Sequence, residues 1–339
     1  MADNRNIPVI PPRPETEERP FWSVMIPAYN PKREYLEQTL RSVLAQDPGP
    51  GRMQIEVVDD CSPDVDVAAI VREIAGDRVS YTRNSTNTGL AGCWNACIQQ
   101  SKGEWVHILH QDDWAMPGSY ERFEKLFRAV EGLGAAFCRH VGIDSDGDWI
   151  GLGTLHQKTP GEMPDFADRV ASAVPMECPS VVVKRSTYET LGGFREDLPY
   201  VLDWEMWARI AASKRWGYVP DLGAAYRYHD LSETARLKKA GKASRDLVRG
   251  GQIARANLPS IVQQRTMQAF RDWVMKLVME DALKLYVYDQ LSEARKLLSE
   301  FSAEARLSQW KWQWRWLRFR VLLKPARKLV AARERKATV

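Results

Sequence analysis

Trp105-Val106-His107-Ile108-Leu109-His110-Gln111-Asp112-Asp113-Trp114 decides how the rest of the chain is read. Its first five residues have the composition of a short buried strand, and the run stops at two adjacent carboxylates. Two upstream segments likewise pass from an apolar strand into a polar cluster. Phe21-Trp22-Ser23-Val24-Met25-Ile26 runs into Pro27-Ala28-Tyr29-Asn30, and Ile55-Glu56-Val57-Val58 runs into Asp59-Asp60-Cys61-Ser62. Residues 78–82 are also strand-like. Between and after these strands, helical spacing of apolar residues covers 35–45, 65–75, 90–100 and about 118–130. Four alternations of strand and helix predict an α/β fold, a Rossmann-like, mostly parallel sheet flanked by helices. Ligands of such a sheet sit beyond the carboxyl ends of the strands, and all three polar clusters fall there.

Past Gly132 the pattern is less regular. Ala135 to Cys138 is apolar, Asp144 to Asp148 reads as a turn, and the chain is loop-like up to Pro179, before a further strand at Val181-Val182-Val183. From Ser232 onward the character is helical. Residues 1–20 contain five prolines and no periodicity, which predicts a flexible arm. The expected organisation is thus an arm over 1–20, an α/β domain over 21–231, a helical extension over 232–303 and a tail over 304–339.

Two acidic pairs on one sheet edge repel unless a cation or several hydrogen-bond donors join them. A single carboxylate suffices to cap a helix, as Asp64 after Pro63 is expected to do. Asp59-Asp60 and Asp112-Asp113 therefore call for more than capping.

In order and spacing, four segments resemble the motifs of family 2 glycosyltransferases: Val24 to Asn30, Val57 to Ser62, Asn87-Thr88-Gly89 with Trp94-Asn95, and Leu109 to Asp113. The resemblance covers roughly residues 21–230. It implies a GT-A fold and transfer of a sugar from a nucleoside-diphosphate donor, UDP-type favoured, with inversion at the anomeric carbon. Pro27 and Tyr29 would line the nucleoside pocket, Asp60 would accept from the base, and Asp112 would lie near the ribose. Asp113 would hold Mn²⁺ or Mg²⁺ against the diphosphate, a usual arrangement for a hard cation that keeps few protein ligands. Leu202-Asp203-Trp204-Glu205 resembles the Glu-Asp-aromatic-Asp motif, with Asp203 as the catalytic base and Leu202 in place of the first Glu. Ala225-Tyr226-Arg227-Tyr228-His229 resembles a late element that closes over the diphosphate, with Arg227 on a phosphate and His229 on the metal. Gly192-Gly193-Phe194 matches a stretch that passes close to the acceptor. His107, His110, His140 and His156 have no ligand spacing, and Cys93 and Cys97 read as packing residues.

Two other readings stand beside this one. A nucleotidyltransferase shares a similar sheet but needs a Gly-rich basic loop after the first strand, which Pro27 to Pro31 lacks. A catalytically silent glycan-binding or scaffold protein of the same fold has Leu202 in its favour.

The net charge of +4 over 339 residues hides two unlike parts. Residues 304–339 carry eleven basic and two acidic side chains, a charge of +9, which leaves −5 for the body. Four of the 13 tryptophans lie in this tail, in Gln309-Trp310-Lys311-Trp312-Gln313-Trp314-Arg315-Trp316. On a helix, Trp310, Trp314, Leu317 and Val321 share one face, and Trp312, Trp316, Phe319 and Leu323 lie nearly opposite. Tryptophan with basic residues suits a membrane surface, consistent with a lipid-linked saccharide or glycan acceptor. A helix packed on the body by one face is the second reading, and nucleic-acid binding the least supported. The chain has no apolar run near 18 residues and no secretory h-region at its start. With five scattered cysteines, these features point to a cytoplasmic enzyme, peripheral on the inner face of the membrane.

Overall fold

The computed structural model describes residues 6–14, 19–239, 243–311, 313–315 and 317–318. The first half alternates strictly: β1 (Trp22–Ala28), α1 (Arg33–Leu44), β2 (Met53–Asp59), α2 (Val67–Ala75), β3 (Ser80–Arg83), α3 (Gly89–Gln100), β4 (Trp105–Ile108). Then follow β5 (Trp114–Ala115), α4 (Ser119–Ala129), β6 (Leu133–Ile143), β7 (Trp149–Leu152), β8 (Gly161–Glu162) and α5 (Phe166–Ser172). The sheet domain closes with β9 (Val181–Lys184), α6 (Arg185–Leu191), α7 (Leu202–Ala211) and β10 (Arg215–Arg227). Helices α8 (Glu233–Lys239), α9 (Ala243–Ala256), α10 (Ser260–Val287), α11 (Leu291–Glu300) and α12 (Ser302–Arg306) follow.

One mixed sheet runs in the order β3-β2-β1-β4-β9-β6-β10-β5. The first four strands are parallel, and β1 lies between β2 and β4 with Val24 opposite Ile55 and His107. Every residue of β1 is buried, because helices cover both faces. That is why it reads as a continuous apolar run rather than an alternating one. β9 is antiparallel to both β4 and β6, and β6 is parallel to β10. The two reversals restore the direction of β1, so the carboxyl ends of β1, β2, β4, β6 and β10 share one edge.

β6 and β10 are the longest strands, yet their sequences hide them. β6 contains Gly134, Arg139, His140 and Gly142; β10 contains Gly217, Pro220, Asp221 and Gly223. The breakers of β10 sit where its register to β6 shifts, between Val219 and Ala224. A bulge accommodates Pro and Gly in a strand that pairing elsewhere holds.

The amino-terminal arm is not loose where it is described. Ile10 is fully buried, and Gly193 N–H donates to the Pro8 carbonyl at 2.8 Å. The Arg13 guanidinium donates to the Ser101 carbonyl at 3.1 Å. Gly192 has φ +82°, and a Cβ there would meet Ile7 at 2.5 Å, so this crossing needs glycine. Nor do the carboxy-terminal helices form a separate appendage. Leu247, Phe270, Val274 and Leu298 belong to the same apolar core as Phe137, Trp204 and Trp216. In the tail, Trp314 and Leu317 are buried in that core with Trp310 against it. The face that carries Trp310 and Trp314 is therefore spent on the body. Trp312, Trp316 and residues 319–339, with the rest of the proposed anchor, lie outside the described residues. No helix among the described residues is long and apolar enough to cross a membrane.

Candidate active site

The shared strand edge opens into a cavity of about 790 Å³. Pro27, Tyr29 and Asp60 line it, as do Asp112, Asp203, Arg227 and His229. Seven of the eight residues expected at the site thus converge from β1, β10, α7 and four loops; Asp113 is buried directly behind.

The 110–113 turn is held in place from several sides. Leu109 N–H donates to the Met25 carbonyl at 3.0 Å, and Asp113 N–H to the His110 carbonyl at 3.2 Å. The Gln111 amide pairs with the Tyr29 backbone in both directions, accepting at 2.8 Å and donating at 3.3 Å. Gln111 thereby ties the first strand's loop to the acidic turn. Asp113 accepts from Arg227 N–H at 2.8 Å and sits 3.1 Å from His110 Nδ1. Burial and the charge of Asp112 push its carboxyl upward. Asp112 Oδ2 lies 2.7 Å from His229 Nε2. His110 stacks on Trp94 with ring centroids 4.9 Å apart. His110 joins the acidic pair although its spacing in sequence gave no hint. The potential ligand atoms of His110, Asp112 and Asp113 lie within 4.8 Å of one another.

Asp203 occupies the first turn of α7, facing the cavity. Its Oδ1 accepts from Trp204 N–H at 2.7 Å. Burial lifts the carboxyl to about 6, while the Trp204 hydrogen bond and then His110 pull the other way. Helix α7 is a rigid platform. Trp204, Met206 and Ile210 are fully buried, and Trp204 Nε1 donates to the Val170 carbonyl at 2.7 Å. Glu205 points away into a buried ion pair with Arg209 at 2.9 Å, which removes it as a rival carboxylate.

Residues 23–190 match the description Glycosyl transferase family 2. The chain belongs to glycosyltransferase family 2. An uncharacterized protein of Mycobacterium tuberculosis is 28% identical over 65% of this glycosyltransferase and 70% of that chain. A Staphylococcus aureus poly(ribitol-phosphate) β-N-acetylglucosaminyltransferase, TarS, is 30% identical over 27% of this chain and 16% of its own. The crystal structure of TarS residues 1–349 with UDP-GlcNAc superposes with a TM-score of 0.63 at 16% identity, covering 88% of each chain. A mannosyltransferase of Pyrobaculum calidifontis with GDP-Man and Mn²⁺ gives 0.55 at 20% identity, covering 92% of this chain and 84% of that one. The fold is GT-A.

Two of the expected site residues are already engaged by protein partners in this glycosyltransferase. Arg227 was expected on the diphosphate, but its side chain is buried, with Nε on the Asp112 carbonyl at 2.9 Å. Nη1 donates to the Asp144 and Ser145 carbonyls at 3.0 and 3.1 Å, and Nη2 to Gln38 Oε1 at 2.7 Å. The guanidinium also lies over the Tyr35 ring, 4.2 Å from its centroid. Donors so engaged hold the acidic turn in place and leave little for a phosphate. Asp60 lines the cavity, yet its carboxylate already accepts from Thr88 Oγ1 at 2.7 Å, Asn84 Nδ2 at 2.8 Å, and Thr88 and Gly89 N–H at 2.9 Å. Four donors match the four acceptor sites of a carboxylate. A base N–H reaching Asp60 must share an occupied oxygen. Asp59 is tied off by Ser62, Tyr81 and Arg83.

The residues present fit a divalent cation. Two carboxylates and imidazole nitrogen suit Mn²⁺ or Mg²⁺ better than a soft metal. His229 Nδ1 is buried with no hydrogen-bond partner among the described residues. A ring nitrogen left so points to an unfilled role. Sequence reasoning missed Gln111, whose bridge appears only in three dimensions, and Glu177, which lines the cavity from a stretch without a motif.

Proposed function

We propose that the enzyme is an inverting, divalent-metal-dependent glycosyltransferase using a nucleoside-diphosphate sugar, UDP-type favoured. The observation that carries this is one cavity lined by Asp112, His229 and His110, with Asp113 buried beside them and Asp203 on the same lining. Pro27, Tyr29 and Asp60 frame the nucleoside end. Asp112, Asp113 and His229 would hold Mn²⁺ or Mg²⁺, which when bound offsets the charge developing on the departing diphosphate.

Asp203 supplies the base. With Oδ1 held by Trp204, Oδ2 is left to take the proton of the acceptor hydroxyl. The acceptor oxygen then attacks the anomeric carbon from the face opposite the phosphate, and the bond to the phosphate oxygen breaks with its electron pair. One displacement with one base inverts the centre. A base of pKa near 6 stays ionised at neutral pH and still accepts a proton usefully. The acceptor is a glycan or a lipid-linked saccharide, in cell-surface polysaccharide assembly. The basic tail would rest the enzyme on the cytoplasmic face of the membrane.

Asp203→Asn tests the assignment. Transfer falls by about 10²–10⁴-fold if the base is lost, with nucleoside-diphosphate affinity in Mn²⁺ within about twofold by the same reasoning. Full transfer by the variant removes Asp203 as base. A thermal-shift panel of nucleoside diphosphates and their sugars with Mn²⁺ tests the donor; no stabilisation by any of them removes the donor-site reading.

A further inference from the structure

Glu177 stands in the wall of the same cavity and has no role in the chemistry above. It precedes β9, between the buried Met176 and Cys178. Its backbone carbonyl accepts from Ser180 N–H at 3.1 Å and Ser180 Oγ at 2.6 Å, which fixes the turn. The side chain has one protein donor among the described residues, Tyr228 Oη at 3.3 Å on Oε1. No Lys or Arg reaches it within ion-pair distance among those residues; Lys238, also on the cavity wall, acts on it only weakly. A carboxylate offers about four acceptor sites, so most of this one is unspent.

The charges that act on it most are acidic. Burial, then the charge of Asp203 and, more weakly, that of Asp113 lift the Glu177 carboxyl to about 7. Glu177 lines the same cavity as Asp203, Asp112 and His229. Displacement at an anomeric carbon puts the sugar ring between the leaving diphosphate and the base. A carboxylate lining that cavity is open to hydroxyls of the ring.

We propose that Glu177 is the specificity-determining residue for the transferred sugar, accepting hydrogen bonds from hydroxyls of a neutral hexose and rejecting sugars that carry a carboxylate. The inference rests on the donor-site reading above. Several O–H donors with no negative charge are what this part of the cavity lacks. A uronic acid would instead add a further carboxylate beside Glu177, Asp203 and Asp113, a repulsive selection of the kind that gives specificity.

The test is binding by titration calorimetry at saturating Mn²⁺ and about pH 8, where the Glu177 carboxyl is mostly ionised. The ligands are UDP, UDP-glucose, UDP-galactose, UDP-N-acetylglucosamine and UDP-glucuronate, with GDP and GDP-mannose in parallel. Wild-type enzyme should bind its best neutral UDP-sugar about tenfold or more tighter than UDP-glucuronate, the scale of one charged hydrogen bond. Glu177→Gln should bring that ratio to within about twofold while leaving UDP affinity unchanged, because a neutral amide neither repels the acid nor accepts as strongly. Equal wild-type affinity for neutral and acidic UDP-sugars overturns the proposal without needing a folded variant. So does a Glu177→Gln enzyme that keeps the wild-type ratio. Failure of UDP and GDP themselves to bind is a different result, and removes the donor-site reading together with this inference.

Discussion

Replacing Arg227 by methionine separates a positioning role from a phosphate-binding one. The side chain is buried and supplies hydrogen bonds to the carbonyls of Asp112, Asp144 and Ser145 and to Gln38. Methionine fills most of the volume but leaves three part-buried carbonyls without this donor, each costing about 1 kcal/mol. Loss of the cation over Tyr35 adds about 0.5–2 kcal/mol. The expected destabilisation is about 3–5 kcal/mol. At an unfolding entropy of about 2.1 cal/mol/K per residue over 339 residues, this lowers Tm by about 4–7 °C. Differential scanning calorimetry of the metal-free, nucleotide-free protein reads it directly. A diphosphate ligand predicts the opposite pattern, because removing a cation from a phosphate site leaves the apo protein as stable or more so. An unchanged apo Tm together with weakened UDP affinity would refute the positioning role and restore the expectation drawn from sequence.

Three other outcomes follow from the same geometry. Because burial lifts Asp203 to about 6 and the base must be ionised, kcat/KM should fall tenfold per pH unit well below pH 6 and level off above it. A pH–rate profile at saturating Mn²⁺ with no such limb contradicts the base. Gly193→Ala would put a Cβ 2.3 Å from Asn95 Oδ1, where the Asn95 amide both accepts from Phe194 N–H at 2.7 Å and donates to its carbonyl at 2.9 Å. A loss of about 1–3 kcal/mol in urea unfolding is expected from such overpacking, and an unperturbed midpoint would show that the crossing relaxes freely. In the tail, Trp314→Ala should cost about 3–5 kcal/mol of stability as a buried aromatic. Reversing the charges of the exposed Lys311 and Arg318 should leave stability alone and reduce co-sedimentation with anionic phosphatidylserine vesicles. Equal pelleting of that variant and wild type would remove the membrane role of these two residues.

The α/β core was legible because its signals are local. Strands buried on both faces, such as β1, cannot avoid being apolar, and helix faces repeat with their own period. Polar residues directly after a strand must emerge at the sheet edge, so Pro27, Tyr29, Asp60, Asp112 and Asp113 could be assigned to one site from sequence. Asp203 was legible through a motif resemblance, although its altered Leu202 neighbour is simply a core residue. β6 and β10 were not, since pairing and a bulge override the Gly and Pro within them. The tail's two aromatic faces looked equivalent in sequence; burial of Trp314 and Leu317 makes them unlike.

By itself, then, the sequence determined the alternating core, its ligand-binding edge and the carboxylates gathered there. It did so because strand periodicity and chain direction are properties of short segments. Only the tertiary structure decided what each polar group is free to do. Arg227 and Asp60 are largely occupied by protein partners, Asp203 and Glu177 keep acceptor sites turned to the cavity, and His110 joins the acidic pair across a turn. A side chain's chemistry depends on which donors, acceptors and charges surround it. For Arg227, Asp60 and Glu177 those partners lie tens of residues away along the chain, where no local pattern records them.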